Sequence, residues 1–506
     1  VHRLLADWIA RIMSADNEIK RDLRLLRARA RELARNDSYA KQYLRMLVVN
    51  VIGRGIGMQS TVRLNIPNQD GTYDLDEVTN NHIEDRWRRW SKGPVTVDGK
   101  HNLRQLMAIA LRAAGRDGEC FVRKYFGFEG NRFGLALQLI DADMLDETFS
   151  RPASRGVNEI RMGVEVDTYG KPLAYHFSDR TSQAFGVETN PRQRVDASEV
   201  LHFYDCDRPN QTRGVTWLHA GMVPLKLLGG YEEAEVVAAR VAAQKMGWLV
   251  KTSGEPGEGA ATKPGNFEAA PGLIEELAEG WQFQSWDPQH PVAAFGMFIK
   301  TMLRKIATAF GVSYNALAND LENVNYSSMR SGLLIERDQW LTLQLDWIES
   351  FLQPIYGDWL NMAILVGELQ LPSMDHRAYT EAVVWKPRGW QWVDPLRDVT
   401  ALEAEIALGV SSRTRACAER GLVYEDILDE LDMEARLAAR KGVRVGGKVA
   451  NAAKISADSK SKGKTSDDGA SGSSGRGVDQ VLDELAGRDS VAGGHDPLVE
   501  MLLSED

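Results

Sequence analysis

FGVSYNALANDLENVNYSSMRSG, residues 310–332, is the stretch on which the reading of the fold turns. It carries Asn315, Asn319, Asn323 and Asn325 together with Ser313, Ser327 and Ser328, and its only charges before Arg330 are Asp320 and Glu322. An apolar, basic helical pattern precedes it (FIKTMLRKIATAF, 298–310), and a long pattern bearing Trp340 and Trp347 follows it (GLLIERDQWLTLQLDWIESFL, 332–352). Helices that simply turn back on one another are joined by about two to eight residues. A longer, amide-rich insert between them predicts a functional loop.

Upstream the order is just as informative. PLKLLGGYEEAEVVAARVAAQKM (224–246) opens on Pro224, which suits a first helical turn, and reads as a helix of about 33 Å at roughly 1.5 Å per residue. Residues 251–290 break that helix. SGEPGEGAATKPGNFEAAPG is turn-rich, and Glu255, Glu258, Glu268, Glu275, Glu276, Glu279 and Asp287 stand against Lys251 and Lys263. A second helix is expected over 291–310 and a long one over about 326–352. Helix, acidic knob, helix, polar loop, long helix describes a protrusion carried away from a body on two helices. Leu317, Leu321 and the Trp340–Trp347 pair are expected to hold copies of such a chain together.

The body reads differently. Residues 1–50 are helical, with Leu26, Leu33 and Leu44 on apolar faces. HIEDRWRRW (82–90) is a further helix. Residues 116–204 read as β: GECFVRKYF and FGLALQLI pair around GFEGNR, GVEVDTYGKPLAYHF turns at Tyr-Gly-Lys-Pro, and EVLHFYD is a short strand. Past residue 393 come three helices. Asp394-Pro395 starts the first, Ser411 opens the second, and the third covers 424–441. Beyond Gly442 there is no aromatic residue, and SADSKSKGKTSDDGASGSSGRG is low-complexity chain expected to be disordered.

Composition narrows the function classes. The chain has 506 residues, enough for two to four domains, and its hydrophobic content of 43% is that of a globular protein. Cys120, Cys206 and Cys417 lie far apart, which predicts neither a disulfide framework nor a Cys-x-x-Cys metal pair and suits a reducing compartment. No apolar run reaches 18 residues and no signal peptide is visible, so no membrane span is expected. The chain begins at VHRLLADW, and a trimmed N-terminus is the expectation. A net charge of −10 argues against a protein that simply coats DNA. The charge is uneven: residues 20–45 hold nine Lys/Arg against Asp22, Glu32 and Asp37, or +6, which leaves −16 for the remainder. The expected meaning of that basic run is a solvated helix face; a subunit or nucleic-acid contact is the other reading.

Catalytic patterns are weak. GVRVGGKV (442–449) has the spacing of a phosphate loop but puts Val449 where Ser or Thr should ligate Mg²⁺. Asp141 with Asp143, and Asp205 with Asp207, bring carboxylates together; turns and surface pairs explain them better than metal. No cofactor and no metal site is expected. Two readings stay open from the residues: a metal-dependent DNA-processing enzyme using those four aspartates, or a monomeric assembly adaptor or scaffold.

Seven stretches in order carry a resemblance: RARARELARNDSYAKQYLRMLVVNVIGRGIG, GRDGECFVR, LQLIDADML, GVEVDTYGKPLAYHF, DRPNQTRGVTWLHAGM, IATAFGVSYNALANDLENVNYSSMRSGLLIERDQW and PRGWQWVDPLRD. Over about residues 1–440 the chain resembles the lambda-type portal proteins of tailed bacteriophages. The resemblance implies an α+β portal fold and a dodecameric ring at one capsid vertex, assembled in the host cytoplasm. Double-stranded DNA would pass through it without sequence specificity. It also implies partners: the terminase large subunit, head-tail connector proteins, and the major capsid or scaffold protein. Residues 1–215 would be the first part of the wing. Residues 216–250 and 291–311 would be stem helices, 251–290 the clip and 312–326 the channel loop. Residues 327–392 would complete the wing, 393–442 would be the crown and 443–506 a disordered tail. On that layout Asn315, Asn319, Asn323 and Asn325 would line the bore, because uncharged amides touch phosphates without the tight, counterion-releasing grip of Lys or Arg. Lys300, Arg304 and Lys305 would face phosphates or a neighbouring subunit. Glu275, Glu276, Glu279, Trp281 and Trp286 would dock partners.

Overall fold

Asp37 both ends the first helix and starts the second. Its backbone N–H donates to Leu33 O, and its carboxylate accepts from Ala40 N at 2.8 Å. Such local stops divide the chain into helices α1 (Ala15–Asn36), α2 (Ser38–Leu47), α3 (Glu77–Lys92) and α4 (Leu103–Asp117). Strand β1 (Gly57–Ser60) lies between α2 and α3, and a π turn (Val48–Ile52) extends α2. We describe the protein from a computed structural model covering residues 12–64, 74–178, 192–243, 247–251, 281–285, 295–322, 326–372, 376–390 and 395–441.

The β region follows α4. Strands β2 (Glu119–Phe126), β3 (Leu135–Ile140) and, later, β8 (Val200–Tyr204) form one antiparallel sheet in the order β3-β2-β8. Strands β4 (Glu159–Arg161), β5 (Val164–Val166), β6 (Pro172–Phe177) and β7 (Gln193–Asp196) form a second, in chain order. Each hairpin expected from the turn signals is present, because the alternating apolar residues leave one buried face. Phe121, Leu145, Val164, Tyr175 and Phe177 pack a small core there. Two glycines let the backbone cross at the start of β2. Gly118 has φ +96, and a Cβ on it would lie 2.5 Å from Val215 C; one on Gly214 would lie 2.0 Å from Gly118 O.

The second half is helical. Helix α5 (Met222–Ala243) leads to a two-stranded ribbon, β9 (Gly247–Lys251) with β10 (Trp281–Ser285), and α6 (Phe295–Phe310) returns. The ribbon pairs Lys251 with Trp281, so the segment between them leaves and returns at adjacent points. The turn-rich composition around it hid these strands. Short helix α7 (Tyr314–Ala318) precedes α8 (Tyr326–Trp347), a π turn (Ile348–Leu352) and α9 (Gln353–Leu365). The long helix was expected to run to about 352. It continues because Pro354 falls in the first turn after the π turn, where no regular partner is lost. Then come α10 (His376–Glu381), β11 (Val383–Lys386, antiparallel to β1), α11 (Pro395–Ala407), α12 (Arg413–Ala418) and α13 (Tyr424–Lys441). Ser412, not Ser411, caps α12: its Oγ accepts from Arg415 N at 3.1 Å, while Ser411 belongs to the turn after Gly409.

Residues 1–430 make one compact unit and 431–506 a second, in which the end of α13 carries an i,i+4 pair, Arg436 with Asp432 at 2.7 Å. In the first unit the main core is aromatic. Trp87 meets Trp90 (5.1 Å), Trp359 (5.0 Å) and Tyr356 (5.5 Å). This explains HIEDRWRRW: Trp87 and Trp90, three apart, point inward. Trp340 and Trp347 are also inside. Trp347 stacks on Phe351 at 4.2 Å and meets Phe203 edge-on at 4.8 Å, and Leu317 is buried with them in the same core. The expected role of these three residues in holding copies together is therefore corrected, because their surface is spent within one chain; of that set only Leu321 is exposed.

Candidate DNA-channel site

The stretch 311–322 is built rather than loose. Gly311 takes φ +66 after α6, and Ser313 caps α7 by accepting from Ala316 N. Asn319 ends α7 in the left-handed conformation (φ 52, ψ 38), a role short amides take readily. The expected loop is thus partly a helical turn, anchored by Leu317 in the core. Ser313 N donates to Glu336 Oε2 at 3.3 Å, and Trp340 Nε1 donates to Glu336 Oε1 at 3.2 Å, which ties the turn to α8.

Its charges are arranged as a local cluster. Asp320 accepts from Tyr314 Oη at 2.6 Å and Lys300 Nζ lies 3.5 Å away; Lys300 Nζ donates to Glu322 Oε2 at 3.0 Å. The tyrosine hydrogen bond and Lys300 hold Asp320 below the usual carboxylate range, and Glu322 with Asp320 raises Lys300. Arg304 lies over the Tyr314 ring at 5.6 Å. Lys300 is therefore committed to the two acids of the loop, while Arg304 and Lys305 on α6 are exposed. Asn315 is half-buried and Asn319 exposed, on the same small element. Lys300 and Arg304 are brought to the turn through Asp320 and Tyr314, the chain neighbours of Asn319 and Asn315, and Lys305 follows on the same helix. Asn323 and Asn325 lie outside the described residues, as do Glu275, Glu276, Glu279 and Trp286. Trp281 opens β10.

Asp141 and Asp143 pair with an arginine of α1. Arg31 Nη2 reaches Asp141 at 2.8 Å and Arg31 Nη1 reaches Asp143 at 2.5 Å, while Arg31 Nε meets Asp117 at 2.8 Å. Of the nine basic residues over 20–45, seven are exposed, as a solvated face requires, while Arg31 is half-buried and Arg27 fully buried. Asp205 stands elsewhere, pushed up by burial and by Asp207 and Asp346. Among the described residues no group of three or more His, Cys, Asp or Glu side chains could hold a metal ion.

The charge centre that sequence reasoning missed lies beneath α1. Glu119, fully buried at the start of β2, accepts from Arg213 Nε at 2.9 Å and Nη2 at 2.6 Å, from Arg27 Nη2, and from Gly214 N at 3.2 Å. The remaining guanidinium protons go to backbone oxygens: Arg213 Nη1 donates to Met162 O at 2.6 Å and Arg27 Nε to Asp117 O at 3.1 Å. Burial alone would raise Glu119, but Arg213 and Arg27 outweigh it and hold its carboxyl well below the usual range. His202 Nε2 stands 3.0 Å from Glu119 Oε2 and Nδ1 3.4 Å from Tyr175 Oη. An ionised carboxylate only accepts, so Nε2 carries the proton and Nδ1 accepts from the tyrosine. Burial lowers the His202 pKa, against the pull of Glu119. The available signal was an acid at the start of a buried strand, with Arg213 and Arg27 too remote in sequence to pair by inspection.

Residues 2–344 match the family described as phage portal protein, lambda family. The chain is 35% identical over 457 residues to the probable portal protein of Halomonas phage phiHAP-1, covering 87% of this chain and 86% of that one. It is 22% identical over 461 residues to portal protein B of Escherichia phage lambda, covering 82% and 84%. A chain in the virion of a native gene transfer agent particle aligns with a TM-score of 0.43 at 12% identity, over 79% of this chain and 93% of that one. The class is thus the phage portal protein, an α+β component of the phage particle that forms the DNA-packaging channel. The chain belongs to the lambda family of these proteins. Among the described residues no helix is long and apolar enough to cross a membrane.

Proposed function

We propose that this chain assembles into a dodecameric ring at a capsid vertex, with α5 and α6 as its stem and the turn at 311–322 facing the DNA. The observation that carries this reading is the apolar surface left open on the long helices. Val223, Leu227, Val236 and Val237 on α5, Met297 and Phe298 on α6, and Leu334, Ile335, Leu341 and Leu345 on α8 are all exposed. A helix that is apolar on most sides needs more cover than one chain gives it. Neighbouring copies in a closed heterologous ring supply that cover. Mass photometry should give a particle at about twelve times the 56.3 kDa chain, and negative stain a ring with a central hole. A monomer at micromolar concentration would overturn the reading.

The remaining roles follow the same layout. Residues 1–215 and 327–392 make the wing, 251–290 the clip and 393–442 the crown. The clip docks the terminase large subunit and later the head-tail connector proteins; reversing Glu275, Glu276 and Glu279 to Lys should leave rings intact and weaken terminase binding. Unchanged binding at physiological salt removes that assignment. The chain itself is not an enzyme: steady ATP hydrolysis lost on Lys448→Ala, or Mg²⁺-dependent cleavage of plasmid DNA, would contradict this.

A further inference from the structure

Three helices of the body each turn an i,i+4 pair of like charges toward one hollow. Arg31 and Arg35 come from α1, Lys41 and Arg45 from α2, and Arg112 and Arg116 from α4; all six line a cavity of about 540 Å³. Like charges at this spacing disfavour the helix that carries them. Three such pairs converging on one concavity are not what fold stability alone selects.

The six cations divide into a floor and a rim. Arg31 and Arg116 are the floor, neutralised from behind: both bind Asp117, at 2.8 and 2.6 Å, and Arg31 also binds Asp141, the one acid on the cavity wall. Arg35, Lys41, Arg45 and Arg112 are the rim. They are exposed, and none has a carboxylate partner among the described residues; Arg45 reaches only the amide oxygen of Gln42, at 3.5 Å. The rim therefore presents four uncompensated positive charges, three of them guanidiniums, on a chain whose net charge is −10. Guanidinium groups suit phosphate oxygens, which they can grip with two parallel hydrogen bonds.

We infer that this basin is a second DNA-contact site, apart from the channel turn, that binds the phosphate backbone of duplex DNA without reading its sequence. The inference takes from the portal reading only that duplex DNA is present at the protein. The floor arginines are fixed by their carboxylates, so the rim charges project from a rigid base. The turn at 311–322 is the opposite: its acids Asp320 and Glu322 cancel Lys300 of α6. One site is suited to hold DNA and the other to let it slide.

The test uses the full-length protein and a fluorescent random-sequence 30-bp duplex, titrated across a range of NaCl concentrations. The variant replaces Arg35, Lys41, Arg45 and Arg112 together by Gln. A control of equal charge loss replaces exposed Lys92, Lys100, Arg155 and Lys171 by Gln. Each phosphate contact contributes about 0.9 to the slope of log K against log salt, so the rim variant should lose about 3 to 4 of slope while the control keeps it. Equal loss in both would show a net-charge effect and overturn the site, as would an unchanged slope in the rim variant. Ring mass is measured on the same samples. If the rim variant no longer forms the wild-type particle while staying folded by circular dichroism, the basin is a contact between copies and the DNA assignment fails. Failure of the wild type to form rings would instead count against the portal reading.

Discussion

Two charge clusters in this protein use the same kinds of residue for opposite ends. Beneath α1, Glu119, Arg27, Arg213 and His202 are shut away from water and nearly every polar atom is matched. At the turn after α6, Lys300, Asp320 and Glu322 meet at similar distances, but in the open. Distance alone does not rank them. Water screens the second set, and its ion pairs are worth little. The first set is expensive to bury and still more expensive to break, because removing one member leaves its partners charged in a dry interior. The buried set joins α1, the start of β2 and the segment leading into α5, so it fixes the body; the open set can change without moving it.

The comparison can be broken most directly at Glu119. Glu119→Ala strands two buried guanidiniums and should cost about 3–5 kcal/mol in denaturant unfolding of the assembled protein. A loss under about 1 kcal/mol would mean that water reaches the site and that the two clusters are alike. Next in size is the pH response. His202 has a lowered pKa in the fold, so below about pH 6.5 the unfolded chain takes up a proton that the native chain refuses. Stability should therefore fall from pH 7 to pH 5, and His202→Gln should flatten that fall. His176, also lowered by burial, keeps part of it. A pH dependence unchanged in His202→Gln would place the histidine in water. Smaller again is Lys300→Gln, expected to leave the denaturant midpoint almost where it is, with any shift shrinking in high salt. The smallest change in stability, within about 0.5 kcal/mol, is expected from Asn315→Ala with Asn319→Gly. Glycine keeps the left-handed cap and alanine the short helix. In the channel reading this double variant should nevertheless lower the DNA packaged per head; full heads would show that the amides do not face DNA.

The same contrast separates what could be read in the sequence from what could not. The hairpins of β2–β3 and β5–β6, the helix at HIEDRWRRW and the three helices past residue 393 were legible, because alternation, helical spacing and turn residues are local signals. The order of helix, knob, helix, loop and long helix was legible for the same reason. The Glu119 centre was not. Its partners stand 92 and 94 residues away, and an arginine in a basic run looks the same whether it ends in water or in a core. Within RARARELAR, Arg27 and Arg31 turn inward while Arg29 and Arg35 do not, and only the packing of α1 on α4 and β2 decides which. The β9–β10 ribbon escaped notice because glycine, proline and acids dominate the segment it closes. For the channel turn, the amides and the flanking helices were visible in advance; the commitment of Lys300 to Asp320 and Glu322 needed the fold.

Chain length is itself constrained at the π turn Val48–Ile52. A π turn holds one residue more than a regular turn, which leaves backbone oxygens without their usual helical partners. Here Val49 O accepts from Arg388 Nη1 and Asn50 O from Gln344 Nε2, each at 2.7 Å, from positions 339 and 294 residues downstream. Deleting a single residue would let the helix revert to its regular pitch and swing these acceptors by about 100° around the axis. Two remote segments would then lose their footing at once, though no side chain had been altered. Substitutions at Val48–Ile52 act one at a time, whereas an insertion or deletion there changes the indexing of the whole body.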